Sequence, residues 1–129
     1  MKYEEITSKI IQAAYNVHKI LGPGFLEKVY QNAMLVELRE MGLTAEAEFP
    51  ISIYYKNVLV GDFNTDLFVE ECIIVELKAG EQLHPKHEVQ TVNYLTGTKM
   101  DVGLLINFGQ SVQVKRKYRE YKPKSVGQE

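Results

Sequence analysis

The sequence predicts a single α/β domain, a mixed central sheet flanked by helices in the order α-α-β-β-β-α-β-β. Three observations carry that prediction. Apolar residues recur at helical spacing over roughly the first forty positions, the spacing then switches to alternation, and one further helical stretch interrupts the strands that follow. A length of 129 residues fits one hydrophobic core. The composition is 45% hydrophobic and 25% charged, the balance of an ordinary globular chain, which excludes the disordered, collagenous and membrane-spanning classes.

Taken in order, Tyr3, Ile6, Ile10, Ala13, Ala14, Val17 and Leu21 mark a first amphipathic helix that Gly22-Pro23-Gly24 stops. Leu26, Val29, Tyr30, Ala33, Leu38 and Met41 mark a second, with Gly42 placed as its C-terminal cap. Ile51, Ile53 and Tyr55 alternate in a first strand, and Phe63, Thr65, Leu67 and Val69 in a second. Residues 72–79 form a third strand that ends at Gly80. Pro85 opens a helix carrying Val89, Val92 and Leu95 and ending near Gly97. Two closing strands follow, Val102 to Asn107 and Val112 to Lys115.

This predicts one domain over residues 1–118 and a polar, basic tail over 119–129. The apolar runs are too short to span a bilayer and the N-terminus turns acidic at once, so the expected location is the cytoplasm. Cys72, a lone cysteine among isoleucines, reads as core filler. Charge is uneven along the chain: residues 115–124 hold six basic side chains and one acidic, while the net charge overall is −2. Lys115, Arg116, Lys117, Tyr118 and Arg119 are therefore the candidate contacts for a phosphate backbone, with a solvated terminal strand as the alternative.

The chemistry concentrates on the third strand. Alternation places Glu76 and Lys78 on one face and Val75, Leu77 and Ala79 on the other, so charges end a strongly apolar strand where unpaired ions are costly. Pairing of Glu76 with Lys78 at a strand edge would explain this, and so would a site shared with Asp66 on the preceding strand. For Asp66 to lie across from Glu76, the connection must hold an odd number of residues, such as Glu70-Glu71-Cys72, or the ladder must contain a bulge. Two converging carboxylates repel by about 4 kcal/mol at 4 Å in an effective dielectric near 20. A cation, a proton or a lysine must offset that, and Mg²⁺ or Mn²⁺ suits oxygen donors. His84 and His87 suggest zinc, but no second pair completes a tetrahedron, and a loop and helix-start role fits better. His18 reads as structural, and Tyr30 and Tyr94 as half-buried packing residues.

Gly24, Glu27 and Tyr30 in GPGFLEKVY, followed by FNTDLFV, IIVELKA, HEVQTVNYL and GLLINFG, resemble the GxxExxY proteins of the PD-(D/E)XK nuclease superfamily from about Tyr3 to Arg116. The resemblance implies a restriction-endonuclease-like core and hydrolysis of phosphodiesters in nucleic acid with Mg²⁺ or Mn²⁺. It implies that Asp66, Glu76 and the Leu77 carbonyl bind the metal with Glu27 as an added acid. It gives Lys78 the attacking water or the charge on the phosphate, and Gln90 a polar role from the following helix. Thr65 stands where the superfamily carries its proline, and Asp62 is a rival for the aspartate role. No recognition subdomain is left over, so a dimer or a partner protein would supply the missing surface. A non-catalytic module that binds nucleic acid or protein on the same fold is the alternative function.

Overall fold

The computed structural model describes residues 3–98 and 100–119. Its elements are α1 (Glu4–Leu21), α2 (Glu27–Glu40), β1 (Ala45–Tyr55), β2 (Val58–Val69), β3 (Ile73–Lys78), α3 (Pro85–Thr98), β4 (Val102–Phe108) and β5 (Val112–Tyr118). The order is the expected one, and the fold is restriction-endonuclease-like. Two elements are longer than alternation alone predicts. β1 begins at Ala45, and β5 continues to Tyr118, so Lys115 to Tyr118 form a paired strand. Of the tail expected over 119–129, positions 120–129 lie outside the described residues. No described helix is long and apolar enough to cross a membrane.

The sheet runs β1-β2-β3-β4-β5, with β3 and β4 parallel and every other pair antiparallel. A parallel pair needs a crossover, and α3 supplies it. α1 and α2 cover one face, where Ile10, Val17, Tyr30, Met34 and Leu38 pack on Leu67, Val69, Val75, Leu77, Leu104 and Ile106. α3 covers the other through Leu95, against Ile51, Phe68 and Ile74. β3 and β4 are covered on both faces, which is why IIVELK and VGLLINF read as near-continuous apolar runs.

Strict alternation fails at one place in each of two strands. Ala45 and Ala47 of β1 pack into the α1/α2 core, yet Phe49, Ile51 and Ile53, at the same parity, pack on the α3 side. In β2, Leu67 and Val69 belong to the first core while Phe63 belongs to the second. Both strands therefore exchange faces, at Glu48 and between Thr65 and Leu67. Glu48 has φ 56°, a left-handed conformation that turns the strand over. The pairing passes from Ala47↔Leu67 to Phe49↔Thr65 with no partner recorded for Glu48.

Turns set the register. Lys56 and Asn57 both have positive φ (48° and 67°) and close a two-residue hairpin between Tyr55 and Val58. Glu70, Glu71 and Cys72 form the three-residue link from β2 to β3, with Val69 opposite Ile73. Its first two residues are left-handed, and the Glu70 carboxylate accepts from the Thr44 N–H at 2.6 Å and from the Thr44 hydroxyl at 3.0 Å. Cys72 is half-buried and packs against the first core, with burial pushing its thiol up.

Tyr30, expected to be half-buried, is fully buried. It stacks on Phe108 at 4.4 Å, donates its hydroxyl to the Gly22 carbonyl at 2.6 Å and accepts from the Phe25 N–H at 3.2 Å. It ties the α1–α2 turn to the core. Tyr30→Phe keeps the stack and leaves two backbone groups unpaired; chemical denaturation should show a loss of about 1–2 kcal/mol.

Candidate functional site

Asp66 and Glu76 are brought together by the register. Leu67↔Val75, Phe68↔Ile74 and Val69↔Ile73 extrapolate to Asp66 opposite Glu76, as a three-residue connection requires. The backbone ladder stops at Leu67, and side chains take over. The Asp66 N–H donates to Glu76 Oε2 at 2.9 Å, and the Leu77 N–H donates to Asp66 Oδ2 at 2.7 Å. Each carboxylate thus fastens the strand that carries the other. The remaining oxygens, Asp66 Oδ1 and Glu76 Oε1, accept no hydrogen bond among the described residues.

Thr65 sharpens this arrangement. Fully buried, its hydroxyl lies 2.9 Å from Glu76 Oε2 and 3.3 Å from the Val75 carbonyl. With one proton to give, the shorter, charge-assisted bond to Glu76 is the stronger. Proline at this position would supply no such donor. Asp62 is exposed and pairs with Ser52 four residues further along the hairpin, away from the carboxylate pair.

The electrostatics record the cost of the convergence. Burial, then the Asp66 charge, push the Glu76 carboxyl up to about 7, against the hydrogen bonds from Asp66 and Thr65. Burial also raises Asp66, opposed by the Leu77 N–H and reinforced by the Glu27 charge. Lys78 lowers both, yet it makes no ion pair with Glu76 among the described residues. β3 is also central, so pairing of Glu76 with Lys78 at a strand edge does not describe this site.

The other expected residues lie on other elements, and none of them hydrogen-bonds to the pair directly among the described residues. Glu27 opens α2, exposed, with its charge felt at Asp66 and at His87. It does not close a cluster: no group of three or more His, Cys, Asp or Glu side chains suited to a metal ion occurs among the described residues. Gln90 sits exposed on α3. The basic set lies on β5, two strands from β3. There Lys117 pairs with Glu88 at 2.6 Å, Arg119 with Asp101 at 3.0 Å, and Arg116 donates to the Thr7 hydroxyl. Arg116, Lys117 and Tyr118 line a groove with Glu88, Val89 and Val92 of α3.

The histidines have local work. The Lys86 N–H donates to His84 Nδ1 at 3.2 Å and the His84 N–H approaches His87 Nδ1 at 3.4 Å, a reciprocal cap at the start of α3 with Pro85 at its first position. His18 donates to the Gly109 carbonyl at 2.8 Å.

Three contributors escaped sequence reasoning, and a fourth, Tyr94, is half-buried and packed as expected but also lies near the pair. Buried Asn107 brackets Gly80, accepting its N–H at 3.0 Å and donating to its carbonyl at 3.1 Å, and so holds the chain just after Lys78. Tyr94 stacks on Phe63 at 3.9 Å, and burial, with the nearby charges of Glu76 and Asp66, pushes its hydroxyl up. Gln31 and Glu48 meet beside Asp66: the Gln31 amide donates to Glu48 Oε2 at 2.6 Å and to the Asp66 carbonyl at 2.8 Å. The signal for Asn107 was one asparagine ending an apolar strand. Gln31 stands one helical turn after Glu27 and so shares its face.

A mixed five-stranded sheet whose central strands present an aspartate and an E-x-K triplet in register, with a helix on its far face, defines a nuclease-like α/β core. A family model for the PD-(D/E)XK nuclease superfamily matches residues 4–120, and the chain belongs to that superfamily. Among solved structures it is similar to the crystal structure of SSO0001, with 16% identity and a TM-score of 0.57 over 94% of this chain. The match spans 61% of that protein's chain, a likeness of fold. No curated protein matches the sequence.

Stability should report the carboxylate pair directly. A carboxyl raised to about 7 in the fold, from 4.5 when unfolded, destabilises the native state progressively as pH rises between those values. Glu76→Gln keeps an acceptor for Thr65 and the Asp66 N–H. In metal-free buffer it should melt about 5 °C above wild type at pH 8 and show no advantage at pH 4.

Proposed function

We propose that the chain is a divalent-metal-dependent phosphodiesterase acting on nucleic acid, of the GxxExxY group within its superfamily. The observation that carries this reading is the Asp66–Glu76 pair. Two half-buried carboxylates are locked together by their own hydrogen bonds, with one oxygen of each directed to no protein donor. The donor set fits a hard cation: two carboxylate oxygens and the Leu77 carbonyl, with the charge of Glu27 felt at Asp66. Burial and the Asp66 charge raise the Glu76 carboxyl to about 7, so the metal-free pair favours taking up a proton, and a cation would serve the same purpose.

Mg²⁺ or Mn²⁺, when bound, supplies neutralisation of the phosphoryl oxygens and acidification of a water. The protein's own groups do the rest. Asp66, Glu76 and the Leu77 carbonyl hold the ion. Lys78, on the face of Glu76 and without a competing ion pair, orients the attacking water and neutralises charge developing on the scissile phosphate. From α3, Tyr94 stands close enough to the pair to feel the charges of Glu76 and Asp66, and Gln90 of the same helix would add a polar group. Lys115, Arg116, Lys117, Tyr118 and Arg119 contact the backbone further along, and exposed Lys115 is the one cation of that set with neither ion pair nor hydrogen bond among the described residues.

A second reading, a binding module that retains the nuclease fold, is favoured by one specific observation: among the described residues no third acidic side chain closes the cluster. Cleavage assays separate the two. Wild type with Mn²⁺ should cut single- or double-stranded DNA or RNA, and Glu76→Ala should abolish both cleavage and the Mn²⁺-induced rise in melting temperature. Lys78→Ala should keep that rise and lose about a hundredfold in turnover. Equal cleavage by wild type and Glu76→Ala would refute the nuclease reading, and Mn²⁺ binding without cleavage would establish the module.

A further inference from the structure

Asp66 has an unusual backbone environment. In a regular sheet its carbonyl would accept from β1, but β1 is turned over at Glu48, the residue that faces it in register between Ala47↔Leu67 and Phe49↔Thr65. The carbonyl accepts from Gln31 of α2 instead, at 2.8 Å, while the Asp66 N–H is taken by Glu76. Both backbone groups of the aspartate are therefore held by side chains from other elements. Its position depends on how those side chains are oriented.

Gln31 is buried, 4% exposed, and its amide nitrogen has two protons. One goes to the Asp66 carbonyl and the other to Glu48 Oε2, at 2.6 Å. A glutamine amide can turn over about its last torsion, which would direct its oxygen at the Asp66 carbonyl. The Glu48 carboxylate, an acceptor only, forbids that orientation, because it requires the NH₂ group to face it. Glu48 is itself steadied by Lys28 at 3.7 Å. A glutamate at φ 56° in the middle of a strand is costly, since only glycine adopts that region freely. Strain of this kind persists where the surroundings require it.

We propose that Glu48 and Gln31 are positioning residues for the cation site: Glu48 fixes the orientation of the Gln31 amide, and that amide sets the place of Asp66 against Glu76 and Leu77. The pair rests on the cation-binding reading above for its purpose, but its effect on Asp66 exists without a metal. Loss of either partner loosens the Asp66 backbone and weakens the site without removing a ligand, the behaviour of outer groups that orient metal-binding side chains.

Gln31 is buried and its replacement risks misfolding, so the test uses exposed Glu48. Glu48→Gly accommodates the left-handed backbone and deletes the carboxylate, whereas Glu48→Gln retains an acceptor for the Gln31 amide. In the metal-free protein, Glu48→Gly should melt at or above the wild-type temperature, yet exchange its Asp66 and Leu77 amide hydrogens about tenfold faster. In Mn²⁺ titrations it should bind about tenfold more weakly, with Glu48→Gln restored to near the wild-type value. Wild-type exchange at Asp66 and Leu77 in Glu48→Gly would overturn the proposal. So would a Glu48→Gln variant as defective as Glu48→Gly, since the charge and not the hydrogen bond would then matter. A wild type that binds no Mn²⁺ would refute the cation reading, and amide exchange would still decide the positioning role.

Discussion

The site depends on a repulsion that the fold enforces. Asp66 and Glu76 are like charges on neighbouring strands, and the same hydrogen bonds that bring them together satisfy the backbone where the β2–β3 ladder ends. Separating the carboxylates would leave the Asp66 and Leu77 N–H groups without acceptors in a half-buried setting, which costs more than a typical hydrogen bond contributes. The pair therefore stays together, and the resulting electrostatic cost appears as a Glu76 carboxyl pushed up to about 7. On the proposed reading, a cation held between the two carboxylates would relieve that repulsion, and the relief would add to its affinity.

The surrounding structure is organised to keep that geometry. Ahead of Asp66, both β1 and β2 exchange faces, so the strands that serve the α1/α2 core at Ala45, Ala47, Leu67 and Val69 serve the α3 core at Ile51, Ile53 and Phe63. The crossover region is where a side chain on β2 can reach Glu76 without entering either core. Behind Lys78, Asn107 clamps Gly80 from the neighbouring strand, and the two histidines cap α3. The chain leaving the E-L-K segment is thus tied to β4 through Asn107 before α3 begins.

Much of this was legible in the sequence. Period-3.6 patterning placed the helices, alternation placed β1 and β2, and continuous apolar runs placed β3 and β4, because the helices bury one stripe and the central strands both faces. The parity of Glu70-Glu71-Cys72 set the register that puts Asp66 opposite Glu76. The face exchange was not legible: Phe63, Thr65, Leu67 and Val69 alternate perfectly in sequence although their strand changes faces between Thr65 and Leu67, and nothing in the sequence marks the left-handed Glu48 of the neighbouring β1. Nor were the roles of Gln31 and Asn107, since a buried amide is indistinguishable in sequence from a solvated one. The extension of β5 through Tyr118 escaped for a related reason. KRKY has no apolar alternation to reveal a strand that pairs on one side only and draws its order from β4.

That last point bears on how nucleic acid would meet this surface. A run of basic residues in a tail would be free to follow a phosphate backbone, but here the run is fixed in a strand, and Lys117 and Arg119 already face Glu88 and Asp101. Both ion pairs are only partly buried, and ion pairs with solvent access contribute modest stability, so a phosphate would compete with Glu88 or Asp101 at limited cost. A fixed strand also gives up less entropy on binding than a flexible tail. On the proposed reading, a substrate backbone that reached both β5 and the carboxylate pair would have to negotiate α3, which packs on β4 and β5. Two strand spacings of about 4.8 Å separate β3 from β5, and a helix standing over that interval prevents a straight path across the sheet. A backbone engaging both places must pass around one end of α3, and the capped end beside Lys78 is the end that adjoins the site.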